Sequence, residues 1–297
     1  MRASTKLREL MKKEKQLLVP GAFAPLIAQI IERLDYSVVY MTGGGTSSVL
    51  LGVPDVGYAT MNENVENARN IVLSVDLPVI ADMDTGYGGV INVRRTIREY
   101  RLSGVAAVHM EDQTWPKKCG WHEGISVITP DDMVMKIKAA VEAREEDDLV
   151  LIARTDSLKP EGVDSVIERG LVYAEAGADC IWIESLLAPE QVEMIGRKLG
   201  SQVPLVMNMG SGSYGPYRPT SEVPPLPLNE MADLGYKILI YPSVAALAMC
   251  KSVMDALAML KEKGDIAEYV DNMLTLEEYQ KLGGLAEIEE LQEKYPV

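Results

Sequence analysis

Cysteine is scarce in this sequence, acidic charge outweighs basic, and long apolar runs are missing. The three cysteines, Cys119, Cys180 and Cys250, lie far apart, which excludes a disulfide framework or zinc knuckle and suits a reducing, cytoplasmic setting. No apolar run approaches the roughly 18 residues that a membrane-spanning helix needs. The first residues enter a charged helical pattern with no signal-peptide apolar region. A net charge of −15 argues against nucleic acid or an anionic membrane as partner, since both select basic patches. An anionic substrate must then be held by local lysines, arginines or a metal. No Gly-x-Gly-x-x-Gly follows the first β-like run, so the dinucleotide fingerprint of an open doubly wound sheet is missing.

What is present is alternation. At 297 residues and 47% hydrophobic, the chain is long for one ordinary domain and normal for an α/β barrel. Eight β-rich runs are predicted, at 17–19, 37–41, 78–81, 105–110, 149–153, 180–183, 204–207 and 237–240. Amphipathic segments lie between most of them, as at 64–75, 90–102, 130–143, 162–176 and 190–199. Gly104, Gly177 and Gly235 follow helical segments, where a left-handed cap is expected. The expectation is one (β/α)8 TIM barrel over 1–297, with 243–297 as a C-terminal helical extension that packs outside the barrel or on a neighbouring subunit. The most irregular stretch, 210–227, is rich in glycine and proline and carries Tyr214, Tyr217 and Arg218. Long loops in compact domains tend to be functional.

In such barrels the active site forms where the strands end, and here each run ends in polar residues. The second reaches Tyr40 and Thr42-Gly43-Gly44-Gly45. The third reaches Asp82 and Asp84, the fourth Glu111 and Asp112, the fifth Arg154-Thr155-Asp156, the sixth Glu184 and the seventh Asn208. Asp82 and Asp84, two apart on one strand, share a face. With Glu111 and Asp55 they make an anionic cluster that needs a cation. Oxygen ligands without histidine suit Mg²⁺ or Mn²⁺ with retained waters. Capping of the helix near Val90 by Asp84 is the competing explanation.

Residues 111–122 combine Glu111, Lys117, Lys118, Cys119 and His122 on one loop. Nearby lysines favour a thiolate at Cys119 and nearby carboxylates a thiol that can give a proton, so the residues alone leave a catalytic and a buried-hydrophobe reading open. Cys180 and Cys250 read as small buried hydrophobes. Gly43-Gly44-Gly45 is either a flexible turn or a backbone cradle for an anion. His109 reads as a satisfied core histidine and His122 as solvated surface.

Together these motifs resemble the isocitrate lyase/phosphoenolpyruvate mutase superfamily, most closely its 2-methylisocitrate lyase-like branch, over residues 21–249. The matching pieces are Gly43-Gly44-Gly45, Gly52-Val53-Pro54-Asp55, Asp82-Met83-Asp84-Thr85-Gly86-Tyr87-Gly88, Glu111-Asp112-Gln113, Lys117-Lys118-Cys119-Gly120, Ala153-Arg154-Thr155-Asp156 and Tyr241-Pro242. The resemblance implies a homotetramer with swapped C-terminal helices. It implies Mg²⁺ or Mn²⁺ at Asp82, with Asp84, Asp55 and Glu111 reaching it partly through water. It also implies carbon–carbon cleavage of a small anionic 2-hydroxy or 2-oxo acid, such as a methylisocitrate-like tricarboxylate or an alkylmalate. Cys119, Lys117, Arg154 and Tyr40 would be catalytic. Thr42, Gly43, Gly44, Gly120, Glu184 and Asn208 would bind substrate. Oxaloacetate hydrolysis or decarboxylation and phosphorus–carbon chemistry are the alternatives within the resemblance. Two departures concern specificity. Trp121 stands where the lyases carry histidine, and the 210–227 loop is long, with Tyr217 or Arg218 expected at the distal group of the substrate.

Overall fold

The computed structural model describes residues 1–144, 147–185, 188–210 and 226–295. Eight parallel strands close into a barrel in chain order: β1 (Leu17–Ala22), β2 (Val39–Met41), β3 (Val79–Asp82), β4 (Ala107–Glu111), β5 (Val150–Thr155), β6 (Cys180–Ile183), β7 (Leu205–Asn208) and β8 (Tyr236–Tyr241). All eight predicted runs are strands. Successive side chains of a strand point to opposite faces, and this divides the core in two. Val79, Ala81, Val108, Met110, Leu151, Ala153, Ile181 and Ile183 face outward into the layer beneath the helices. Ile80, Ala107, Val150, Ile152, Cys180, Trp182, Val206 and Ile238 face inward and fill the barrel.

The helices are α1 (Ala3–Lys13), α2 (Pro25–Arg33), α3 (Gly43–Leu51), α4 (Met61–Val72), α5 (Val90–Ser103), α6 (Pro130–Ala143), α7 (Leu158–Glu161), α8 (Val163–Glu175), α9 (Pro189–Leu199), α10 (Leu228–Asp233), α11 (Val244–Lys263), α12 (Leu276–Leu282) and α13 (Leu285–Lys294). Gly104 ends α5 in the left-handed conformation, as the sequence predicts, and Gly177 and Gly235 are left-handed too. α1 seals the N-terminal end of the barrel. Its Leu7 is fully buried in the inner cluster, which contributes about 2 kcal/mol. Ser4 and Thr5 donate to Asp148 ahead of β5, and Arg8 to Asp179 ahead of β6.

Three local expectations differ. Gly43-Gly44-Gly45 is no turn but the first turn of α3, because Thr42 caps it by accepting from the Gly45 N–H. β3 ends at Asp82 and Asp84 is left-handed (φ +48°), so the two aspartates do not share a strand face. Cys250 is exposed rather than buried, because α11 has no buried residue in the single chain. The expected roles of Tyr217 and Arg218 fall outside the described residues. No helix among the described residues is long and apolar enough to cross a membrane.

Candidate active site

The inward parity of the strands builds the site. At the barrel mouth the positions that fill the core lower down become Tyr40 and Thr42, Asp82, His109 and Glu111, Arg154, Trp182 and Glu184, and Asn208. Register places Asp82 beside His109, Glu111 beside Arg154, and Arg154 beside Trp182. Each pair therefore meets across neighbouring strands at the same height.

Arg154 and Lys117 anchor two charge clusters. Arg154 forks onto Asp156, with Nε 2.9 Å from Oδ2 and Nη2 2.8 Å from Oδ1. It lies 3.4 Å from Glu111 and 3.7 Å from Glu184, and its guanidinium stacks 4.7 Å from the Trp182 ring centre. Burial works against this cation, but Asp156, Glu111 and Glu184 outweigh it and hold the proton more firmly than usual. Lys117 is 2% exposed. Its Nζ bridges Asp55 Oδ1 at 2.5 Å and Asp84 Oδ1 at 2.8 Å. Asp84 therefore grips Lys117 and does not cap α5, whose N-cap is Gly89. Asp82 accepts from the backbone N–H of Asp84 at 2.9 Å and of Gly43 at 3.2 Å. A Cβ on Gly43 would fall 2.3 Å from Asp82 Oδ2, so glycine is what lets this amide reach the carboxylate.

Carboxylates outnumber cations in this buried space. Burial raises the proton affinity of Asp82, Asp84, Glu111 and Glu184, with Asp84 pushed up to about 6. For Asp55 the pull of Lys117 outweighs burial, and its carboxyl stays below the ordinary range. Glu111 is fully buried, and among the described residues neither of its oxygens accepts a hydrogen bond. Such an orphaned carboxylate fits a hard cation reached from Asp82 and Asp84. Among the described residues no three acidic, histidine or cysteine side chains converge on one point, so water would complete the coordination, as Mg²⁺ prefers.

His109 is less satisfied than the sequence suggests. Its Nε2 lies 2.9 Å from the Tyr40 hydroxyl, but Nδ1 has no partner among the described residues. Burial, then Arg154 and Lys117, keep its ring neutral at ordinary pH. Burial and then Asp82 push the Tyr40 hydroxyl well up, so Tyr40 is a phenol and not a phenolate. Trp182 packs edge-on against both rings.

The thiol loop docks on the mouth. The Cys119 N–H donates to Asp55 O at 3.0 Å, Ser185 Oγ to Gly120 O at 2.5 Å, and Lys159 to Trp121 O at 3.0 Å. Gln113 grips both the N–H and the C=O of Lys118. Gly120 sits so close that a Cβ there would fall 2.3 Å from Glu184 and 2.9 Å from Arg154. Burial, then Asp55, push the Cys119 thiol up to about 11. This favours a proton donor over a thiolate nucleophile.

One cavity of about 310 Å³ lies beneath the loop. Of the predicted site residues, Tyr40, Thr42, Gly44, Asp55, Asp82, Cys119, Gly120, Arg154, Glu184 and Asn208 line it, while Gly43, Asp84, Glu111 and Lys117 stand behind that lining. Trp121 and His122 both line it, so His122 is not mere surface. Sequence reasoning missed Trp182, Ala246 and Leu247 among its walls. Trp182 was within reach, since it is two residues before Glu184 and shares its parity.

A closed parallel barrel with acidic groups, Arg154 and a loop thiol at its mouth has the make-up of a barrel enzyme's active site. The phosphoenolpyruvate phosphomutase family model matches residues 7–261, and the chain belongs to this family, within the phosphoenolpyruvate mutase/isocitrate lyase superfamily. It is 41% identical to 2,3-dimethylmalate lyase of Eubacterium barkeri over 99% of both chains. It is 37% identical to 2-methylisocitrate lyase of Aeropyrum pernix over 95% of this chain and 88% of that one. The crystal structure of 2,3-dimethylmalate lyase superposes with a TM-score of 0.89 at 33% identity, covering 100% of this chain and 96% of that one. Phosphonopyruvate hydrolase, solved with oxalate and Mg²⁺, superposes at 0.86 with 28% identity over 99% of each chain. The named relatives include carbon–carbon lyases, consistent with such an activity here.

Proposed function

We propose that this chain is a Mg²⁺-dependent lyase that cleaves a carbon–carbon bond in an alkyl-substituted malate, giving an oxo acid and a carboxylate. The observation that carries the reading is that one cavity is lined by both Asp82 and a protonated Cys119 thiol, with Arg154 and Glu184 in the same walls. Asp82, Asp84, Asp55 and Glu111 would hold Mg²⁺ or Mn²⁺, largely through water. When bound, the ion supplies Lewis-acid polarisation of the substrate carboxylate and hydroxyl. Thr42 and the amide of Gly44, at the N-terminus of α3, suit the carboxylate that stays at this end. Tyr40, bonded to neutral His109, orients the substrate hydroxyl.

Glu184 takes the hydroxyl proton, since burial raises its proton affinity and Asn208 Nδ2 steadies it from 3.3 Å. The carbon–carbon bond breaks, its electron pair stays on the departing carboxylate fragment, and Cys119 protonates that carbon. Arg154 offsets the developing charge. Glu184 lies close enough to Cys119 to influence its titration, and its proton restores the thiol, so the cycle closes without any other acid.

An alkylmalate suits the walls better than a tricarboxylate. Among the described residues the basic side chains lining the cavity are Arg154, already forked on Asp156, and His122. Trp121, Pro54, Pro242, Ala246 and Leu247 add apolar surface to the lining. Among the described residues a third carboxylate would find no further counter-charge. A swapped homotetramer is part of the reading, supported by α11, whose Val253, Met254 and Leu257 are 50%, 68% and 59% exposed. Light scattering would test it, and a monomer would sink it.

The test of function is a Mg²⁺-supplemented screen of 2,3-dimethylmalate, methylisocitrate, isocitrate, oxaloacetate and phosphonopyruvate, with products identified by mass. Cleavage of the dimethylmalate in preference to the tricarboxylates is expected. Turnover of oxaloacetate or phosphonopyruvate, with the alkylmalate untouched, overturns the reading.

A further inference from the structure

A second cavity, of about 550 Å³, shares no lining residue with the first. It opens on the outer side of the thiol loop, between the 57–61 turn, the 85–88 turn and α6. Its walls are largely aromatic and apolar: Tyr58, Met61, Tyr87, Trp115 and Ile128. Tyr58 and Trp115 are 68% and 53% exposed, so two large rings stand at an open rim, uncovered among the described residues. The Trp115 ring passes over Gly57, where a Cβ would fall 2.9 Å from it.

Lys136 of α6 reaches into this cavity. Its Nζ donates to the Thr85 carbonyl at 3.1 Å. Among the described residues no carboxylate lies within ion-pairing distance of it, unlike Lys117. Burial lowers its proton affinity, and Asp132 and Asp112 offset this only in part. A half-buried ammonium with a single neutral acceptor retains donors for an anion. Aromatic walls around one cation suit a ligand with an apolar body and one carboxylate.

The cavity also touches the machinery that docks the thiol loop. Gln113 is part of its wall, and the same side chain holds Lys118 at both backbone groups and donates to Asp156 Oδ1 at 3.0 Å. Trp115 lies between Gln113 and Lys117. A ligand packed against Gln113 and Trp115 would limit their motion and with it that of the loop.

We propose that this cavity is a second binding site for a small carboxylate with an aromatic or branched apolar body, and that filling it holds the thiol loop in its docked position. The ammonium of Lys136 takes the carboxylate, and Tyr58, Trp115 and Tyr87 enclose the body. The proposal does not depend on the lyase reading, since it rests on the loop's position and not on the reaction.

Phenylacetate is a suitable probe, titrated by calorimetry into the full-length assembled protein. Wild type should bind it. Lys136→Met should weaken binding by about tenfold or more, the value of a charge-assisted contact, and Tyr58→Ala should weaken it through the lost wall. Hydrogen exchange of residues 115–122 should slow when the probe is added to wild type and stay unchanged in K136M. Failure to bind, equal binding by wild type and K136M, or binding that leaves loop exchange unaltered would each overturn the proposal. Purely competitive inhibition, insensitive to K136M, would overturn it too by placing the probe in the barrel mouth.

Discussion

Arg154 and Lys117 are both buried cations gripped by carboxylates, yet they reach the mouth by different routes. Arg154 rides on β5, and its main partner, Asp156, is two residues away. Pleat and register set Glu111 and Glu184 around it. Lys117 arrives on a loop and bridges Asp55 and Asp84, which come from two other connections. The first cluster is built chiefly by the sheet, with Gln113 of the loop adding one bond to Asp156. The second exists only while the thiol loop is docked. When Lys117 withdraws, Asp55 and Asp84 lose their counter-charge, and the acidic end of the site becomes more attractive to a cation. At the proposed metal site, loop docking and cation affinity are therefore opposed.

Breaking the Arg154 cluster should have the largest effect. Arg154→Met leaves Asp156, Glu111 and Glu184 facing one another, so we expect a loss of about 3–5 kcal/mol in stability and no measurable turnover. Thermal unfolding and steady-state assays check both, and a stable, active variant would refute the cluster's role. Cys119→Ser should come next, with kcat down about 10²–10⁴-fold, the usual worth of general acid catalysis, and KM little changed. Unaltered kcat would remove the thiol from the chemistry.

The thiol also predicts a pH profile. Its affinity for the proton is raised, so the reactive thiolate is scarce at neutral pH and appears as pH climbs toward about 11. Iodoacetamide labelling of Cys119, followed by mass, should still be accelerating well above the free-thiol value of about 8.5. A plateau near that value would contradict the burial argument. Lys117→Met should raise Mn²⁺ affinity while turnover falls, read by metal titration of the folded protein. Weaker metal binding would show that loop docking and cation affinity are not opposed. The smallest change is expected at Trp121→His. It should improve tricarboxylate turnover relative to alkylmalate by about tenfold, within the 1–3 kcal/mol that pocket edits deliver.

The strand-built half of the site was legible from parity, whereas the loop residues Asp55, Lys117, Cys119 and Gly120 were named by chemistry and resemblance and their pairings were not legible. Asp82, Glu111, Arg154, Glu184 and Asn208 end β-runs at inward parity, which period-2 reasoning reaches directly. The same parity covers His109 and Trp182, and was not applied to them because a histidine or tryptophan inside a hydrophobic run reads as core. Lys117 was singled out for its charge, but its partners lie 62 and 33 residues away and follow no local period. Gly43-Gly44-Gly45 was ambiguous because glycine opposes helix formation. The Thr42 cap and the nearness of Asp82 and Asp55 explain why α3 begins there regardless. Cys250 was misjudged because a lone cysteine in a helical stretch reads as a buried hydrophobe, and residue type does not show what covers it.

The helix that plugs the barrel's base has a bearing on traffic. With α1 in place and the interior filled by side chains, matter enters and leaves the chamber at one end. Two fragments of the proposed cleavage could not depart by separate doors. On the proposed reaction, the fragment nearer Cys119 would leave before the one lodged against Asp82, and the incoming molecule would wait for both. Turnover in such a blind-ended vessel would be a queue, with the thiol loop, on the proposed reading, as its turnstile.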